Sequence, residues 1–412
     1  MIKILLIEDN NEKRRLILEA AQEVPEINID SFDIATNVKD AKKLIAKIRY
    51  DLVILDINLP LSDDKHSEVG AGLDVLRFIK VNNKAKIPSY LFGLTAFDDG
   101  AQAAEKEFSS PLWKLVRFSF SDDTWKTPFR EALVYLNDSK KPPFYNDGTT
   151  YHIDLGIFAA LEEELASILE LDAGWRKVSV AHDSNDYFEG RFKSENGVLT
   201  VVATVAPNMG MPSAAVCASK LIHNFRPKYL AITGICAGVR GKSNFGDVLI
   251  ADPCFDWGSG KWLRDGTDGE LKFRPASYQW RLDETIRSDV KTCTTPEDIL
   301  RIYNEFDGLK PEIVPKVIVD AMASGASVLQ ASELMNDVKL IHKNLVGVEM
   351  ESYAVFTAAQ LSAEPRPKCI SIKAVCDFGD EDKGDNYHKF ASYMSAQFLY
   401  LLALRTLVEE EY

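Results

Sequence analysis

From the first residue to about 138, short apolar runs alternate with stretches whose apolar positions recur every three to four residues. Ile4 to Ile7, Ile29 to Ile34, Leu52 to Leu55, Tyr90 to Leu94 and Leu115 to Phe118 are too short for helices and predict strands. Leu73, Leu76, Phe78 and Ile79, and later Phe129, Leu133 and Leu136, have helical spacing. Five alternations predict a doubly wound α/β fold: a parallel sheet with helices on both faces. The pattern breaks at Ser139 to Gly148, where paired prolines and turn residues read as a linker. We place the first domain at 1–138, the linker at 139–150 and a second domain at 151–412.

The second domain opens with strand Asp154 to Phe158 and a helix starting within Ala160 to Leu165. Strand pieces follow at Val178 to Ala181, Tyr187 to Phe192 and Val198 to Ala206, then a helix from Met209 to near Phe225. Strand Tyr229 to Thr233 enters the small-residue stretch Gly234-Ile235-Cys236-Ala237-Gly238, and Gly246 to Ile250 starts another strand. Further on, a helix opens at Glu351 and runs to Leu361, and Ile370 to Val375 reads as a buried strand. The expected architecture is an α/β domain around a central mixed sheet.

Length agrees with two cores, since 412 residues exceed one ordinary domain. A 46% hydrophobic and 27% charged composition is that of a soluble globular chain. The 62 acids against 48 bases, net −14, exclude a nucleic-acid surface, which needs clustered Lys and Arg. The first residues turn acidic at Glu8, too soon for a signal-peptide core, and no apolar run is long enough for a bilayer, so no membrane contact and a cytoplasmic location are expected. The six cysteines form no CxxC pair and the six histidines no ligand spacing, so neither disulfides nor a structural zinc is expected.

Acids stand where strands end. Open α/β sheets bind ligands outside the carboxyl ends of their strands. In the first domain Glu8 and Asp9 end the first strand, Asp56 the third, and Thr95 closes the fourth. Three carboxylates converging there would repel one another and raise each other's pKa. A hard cation such as Mg2+ resolves that conflict. In the second domain Glu351 stands at a helix mouth and Asp377 at a strand end, either as site acids or as a helix cap and a turn residue. Gly234, Ala237 and Gly238 let backbone approach a ligand closely, or serve a tight turn.

Leu6-Ile7-Glu8-Asp9, Ile54-Leu55-Asp56-Ile57-Asn58-Leu59-Pro60 and Leu94-Thr95-Ala96 resemble a response-regulator receiver domain over the first third of the chain. The resemblance implies Asp56 as phosphoacceptor, Mg2+ held by Glu8, Asp9, Asp56 and Asn58, Thr95 as phosphoryl sensor, and a sensor histidine kinase as partner. Two departures stand out. The family's Lys-Pro after the fifth strand is missing, leaving Arg117 or Lys114 for the cation, and the polar stretch Ser62 to Gly70 lengthens the loop beside the acceptor. Arg does not simply replace a point-charge ammonium.

Ala160-Leu161-Glu162-Glu163-Glu164, Thr233 to Gly238, Gly246-Asp247-Val248, Val348-Glu349-Met350-Glu351 and Cys376-Asp377-Phe378-Gly379-Asp380 resemble, in order, the purine nucleoside phosphorylase and nucleosidase superfamily. Within it the likeness is to methylthioadenosine/S-adenosylhomocysteine nucleosidases, apart from an extra segment around Trp257 to Val314. The resemblance implies Asp377 as the acid at the purine N7, its pKa raised by burial, Glu351 with Met350 on the ribose, and Glu164 as the base for water. Gly234, Cys236 and Phe378 would border the substrate, and Val328 stands where the family places an aromatic on the purine. Ile232 and Ile235 stand where family phosphorylases bring Arg and Ser to phosphate, so water is the expected nucleophile, with no cofactor needed.

Arg240, Lys242, Lys261 and Arg264 are either solvated surface or holders of a 5′ phosphate chain. Receiver plus nucleosidase is also similar to effectors of bacterial antiphage two-component systems that destroy adenine nucleotides. The expectation is therefore a phosphorylation-controlled, homo-oligomeric nucleosidase converting ATP to adenine and ribose 5′-triphosphate. The alternatives are a regulated methylthioadenosine/S-adenosylhomocysteine nucleosidase and a non-catalytic purine sensor.

Overall fold

A computed structural model describes residues 2–407 except 26, 28, 96–112, 140, 195–196, 266–268, 277, 328, 330–331 and 382–383. The chain divides into two compact units, parting between Lys141 and Pro142.

In the first unit, β1 (Ile4–Ile7), β2 (Phe32–Ala35), β3 (Leu52–Leu55), β4 (Tyr90–Thr95) and β5 (Trp113–Arg117) form an all-parallel sheet in the order β2-β1-β3-β4-β5. This is the flavodoxin-like doubly wound order. Side chains alternate between two cores: Leu5, Ile7, Val53 and Leu55 on one face, Ile4, Leu6, Leu52 and Ile54 on the other. Double-sided burial is why β1 and β3 read as unbroken apolar runs. Helices Asn11–Gln22, Val38–Lys47, Leu73–Val81 and Lys126–Ser139 cover the sheet; Ala96 and whatever joins β4 to β5 lie outside the described residues. The predicted strand Ile29 to Ile34 is displaced: Ile29–Ser31 is a 3-10 turn and the strand begins at Phe32. At this sheet edge only Ala35 of the strand is buried, so apolar residues did not mark its limits.

The second unit is built on a mixed sheet. Its strands are β6 (Ile153–Ala159), β7 (Arg176–Val178), β8 (Tyr187–Ser194), β9 (Gly197–Val205), β10 (Pro227–Gly238), β11 (Val248–Asp256), β12 (Gly260–Asp265), β13 (Glu270–Pro275), β14 (Gln279–Trp280), β15 (Val317–Ser324), β16 (Gly347–Glu349) and β17 (Lys368–Asp377). They run β14-β11-β15-β16-β10-β6-β9-β8-β7, with β17 parallel to β10 and antiparallel to β11. The extra segment contributes the separate hairpin β12–β13, strand β14 and helices Glu284–Thr292 and Pro296–Glu305. The small-residue stretch Gly234 to Gly238 is not a loop but the end of β10, whose register with β17 shifts between Cys236 and Ala237. No helix among the described residues is long and apolar enough to cross a membrane, and all six cysteines are buried and free.

Candidate active site

Parallel β6, β10 and β17 end at one edge of the sheet, and β16 ends beside β10. β6 hands the chain to helix Glu162–Leu169, which carries Glu164 in its first turn; β16 leads into Met350 and Glu351; β17 ends on Asp377. Together they enclose a cavity of about 200 Å3, lined among others by Glu164, Met209, Ile235, Cys236, Met350, Glu351, Asp377 and His388.

Glu164 is fixed by backbone donors. Its Oε2 accepts from Ala160 N at 2.7 Å and Leu161 N at 3.0 Å, its Oε1 from Ile235 N at 2.8 Å. Gly234 lies directly against it, and a Cβ there would stand 1.8 Å from Oε1. This is the physical reason for glycine at 234. Lys373, wholly buried in β17, places Nζ 3.4 Å from Glu164 Oε1 and 4.0 Å from Glu351 Oε2. Burial would lower the ammonium's pKa, but Glu164, Glu351 and Glu349 together hold it above the ordinary lysine value.

Glu351 stands at the N-cap position of helix Ser352–Gln360, but its side chain makes no capping bond. Glu349 takes that task, its Oε2 accepting from Glu351 N at 2.9 Å and Ser352 N at 2.8 Å while Ser324 Oγ donates to Oε1. Glu351 is thereby left to the cavity, where its Oε1 accepts from Gly210 N at 2.7 Å. Burial, reinforced by Glu349 and Glu164 and opposed by Lys373, pushes its carboxyl up to about 7. Asp377 is 5% exposed and accepts from Gly379 N at 2.7 Å through Oδ1, with Cys376 Sγ 3.4 Å from Oδ2. Burial also pushes the Cys236 thiol well up, which keeps it neutral and inert.

Among the expected substrate contacts, Cys236 and Met350 line the cavity and Gly234 backs Glu164. Phe378 is not among the lining residues; it packs against Phe245 at 4.7 Å and under the Arg240 guanidinium at 4.6 Å. Val328 lies outside the described residues. The expected cations are elsewhere: Arg240 pairs with Asp380, Lys242 donates to the Lys343 carbonyl, and Lys261 is exposed on β12. No Lys or Arg is among the described residues lining the cavity. These side chains sit where water solvates them, which is the lowest-energy place for an unneeded charge. Sequence reasoning missed Lys373, Glu349 and His388. Lys373 carried a usable signal, as a lone cation inside the apolar run Cys369 to Cys376 demands a buried carboxylate.

The acidic pocket of the first unit stands at the ends of β1 and β3. Glu8, Asp9 and Asp56 each bring a carboxylate oxygen within 4.8 Å of the others. An all-oxygen donor set of this kind suits a hard divalent ion. The pocket also holds a cation of its own. Asn10 caps helix Asn11–Gln22, accepting from Glu12 N and Lys13 N, and the first turn delivers Lys13 Nζ 2.8 Å from Glu8 Oε2 and 3.1 Å from Asp56 Oδ2. Lys13 also donates to the Leu94 carbonyl at 2.8 Å. Burial pushes Glu8 up to about 7 against the pull of Lys13, and raises Asp56 likewise. Thr95 is buried at the end of β4. Arg117, paired with it across the sheet, is exposed, as is Lys114, so the cation on Asp56 is neither of these but Lys13. Asn58 accepts from Gly70 N at 3.0 Å through its side chain, tying the polar insertion back to the acceptor loop.

A family model described as Phosphorylase superfamily matches residues 154–407. An uncharacterized protein y4jS of Sinorhizobium fredii is 30% identical over 96% of this chain and 97% of its own length. ATP nucleosidase Cap17 of Escherichia coli is 24% identical over 50% of this chain; the match spans 41% of that protein. A 5′-methylthioadenosine/S-adenosylhomocysteine nucleosidase of Maridesulfovibrio salexigens is 25% identical over 55% of this chain and 87% of its own length.

Proposed function

We propose, from the premise that this chain belongs to the phosphorylase superfamily, that its second unit hydrolyses the N-ribosidic bond of an adenine nucleotide, with ATP giving adenine and ribose 5′-triphosphate. The observation that carries the reading is the meeting of Glu164, Glu351 and Asp377 around one cavity. Asp377 gives a proton to the purine N7 as the bond from C1′ to N9 breaks and its electron pair enters the ring. Glu351, ionised, accepts from the ribose hydroxyls while positive charge develops on the sugar. Glu164 takes a proton from water, whose oxygen forms the new bond to C1′. The Lys373 ammonium stands between Glu164 and Glu351 and offsets part of their mutual repulsion. Separate acid and base carboxylates are the arrangement that inverting glycoside hydrolysis uses.

A second reading, cleavage of 5′-methylthioadenosine or S-adenosylhomocysteine, is favoured by the cavity lining, where the described residues include Met209 and Met350 but no Lys or Arg. Adenine release decides between them. Purified chain incubated with ATP, AMP, adenosine and methylthioadenosine releases adenine fastest from ATP in the first reading and from methylthioadenosine in the second; a purine sensor releases none.

The first unit, in the same proposal, is a receiver that switches the nucleosidase. A sensor histidine kinase phosphorylates Asp56; Glu8, Asp9, Asp56 and Asn58 would hold Mg2+; and Thr95 senses the phosphoryl group. The sheet order and the acidic pocket support this reading. A bound Mg2+ supplies charge neutralisation during phosphoryl transfer. The chain then acts in the cytoplasm as a homo-oligomeric antiphage effector. A small phosphodonor is expected to change the adenine-release rate of the wild type and not of Asp56→Asn.

A further inference from the structure

Each turnover proposed above leaves Asp377 one proton short and Glu164 one proton over. Both carboxylates are buried, at 5% and 2% exposure, so neighbouring groups are placed to carry the protons that restore the resting state. Asp377 has such a neighbour in His388. His388 opens helix His388–Leu402 and lines the cavity. A ring nitrogen of His388, a carboxylate oxygen of Asp377 and the sulfur of Cys376 lie within 4.8 Å of one another. A ring nitrogen this near the carboxylate can pass it a proton directly or across one water.

The ring is held from behind. His388 Nδ1 stands 3.0 Å from Glu163 Oε1, and Glu163 is 39% exposed, so this carboxylate meets bulk water. His388 Nε2 is buried and has no hydrogen-bond partner among the described residues; Asp385 Oδ1 is 3.5 Å away without the geometry of one. Among the described residues, the charged and titratable groups near the ring are Glu163, Asp385, Asp377 and the Cys376 thiol. An imidazole with one nitrogen on a solvent-linked acid can take a proton there as it releases one from the other nitrogen.

The geometry points to His388, held by Glu163, as the group that returns a proton to Asp377 after each adenine leaves. Resting on the nucleosidase reading, it adds a route: a solvent proton enters the ring by way of Glu163, and the ring's other proton passes to the Asp377 carboxylate. The ring ends the cycle neutral once it has turned over its tautomer, and Glu164 releases the water-derived proton, so the balance closes. His388 acts through Asp377 and is a positioning and proton-supplying residue.

The test separates the first turnover from the later ones. His388→Gln and Glu163→Gln are mixed with the fastest adenine-releasing substrate, and adenine is quantified by rapid quench under single- and multiple-turnover conditions. The expected result for His388→Gln is a first turnover within about threefold of wild type and a steady state at least about tenfold slower, seen as a burst of one adenine per site. Added imidazole speeds only the slow phase. Glu163→Gln, which keeps the ring, shows the same burst with a smaller slowing. Equal slowing of both phases without imidazole rescue, or no slowing, overturns the proposal, and Glu163→Gln decides alone if His388→Gln does not fold. Absence of adenine from the wild type would overturn the nucleosidase reading instead.

Discussion

Gly234→Ala is the smallest change that reaches the proposed base. The added Cβ would stand 1.8 Å from Oε1 and 2.2 Å from Cδ of Glu164, whereas real Cβ contacts essentially never fall below 3.0 Å. The carboxylate must retreat by more than 1 Å. It has no easy direction, because Ala160 N and Leu161 N hold Oε2 while Ile235 N holds Oε1. Breaking the Ile235 contact alone costs about 1.5–3 kcal/mol, as the acceptor is charged. A displacement of about 1 Å at a reacting group typically costs roughly 100-fold in rate. We therefore expect Gly234→Ala to lower kcat/KM for adenine release about 100-fold. Gly384→Ala, where nothing lies within 4 Å of the new methyl, is the matched control and should be near wild type. If the loss travels through Glu164, adding Gly234→Ala to Glu164→Gln lowers the rate little further, because the two changes share one contact. Full additivity, or a Gly234→Ala enzyme within threefold of wild type, would refute the reasoning.

Lys373→Met removes the ammonium between two buried carboxylates. Unpairing buried charges costs about 3–5 kcal/mol, so a thermal melt should show a clear fall in Tm, with adenine release falling alongside. Lys13→Met does the same to Glu8 and Asp56 in the first unit, and should lower that unit's melting temperature in EDTA without changing single-turnover adenine release. Glu351 is pushed up to about 7, and its ionised form is the one that accepts from ribose hydroxyls. Adenine release should therefore rise with pH through about 7, a limb that Glu351→Gln loses along with most of the rate. The same shift means that ionising Glu351 costs folding stability as pH climbs from its ordinary 4.5 to about 7.

Much of the fold was legible because burial was two-sided. β1 and β3 are apolar on both faces, and their limits follow from that run alone. β2 misled because it is an edge strand with Ile34 partly in solvent. β10 misled for another reason: its glycines looked like a turn, yet Gly234 is needed beside Glu164 within the strand. The three carboxylates were legible from their places at element ends, but which acid caps the helix was not. Glu349 and Glu351 are two residues apart, and only the fold shows Glu349 bonded to the helix start and Glu351 facing the cavity. Lys13 lies 43 residues from Asp56 and His388 lies 11 from Asp377, and no local pattern announces pairs so separated. Arg240 and Lys242 showed the opposite failure. They were close in sequence to the cavity wall, but they point to Asp380 and the Lys343 carbonyl.

The central claim is that water, activated at Glu164, replaces a purine protonated by Asp377. Incubating the purified protein with the best adenine substrate in 18O-labelled water, without phosphate, and weighing the sugar product by mass spectrometry tests it most directly. The account predicts one 18O on the sugar for each adenine released, and neither product from Asp377→Asn. An unlabelled sugar, or adenine formed only when phosphate is supplied, would contradict it.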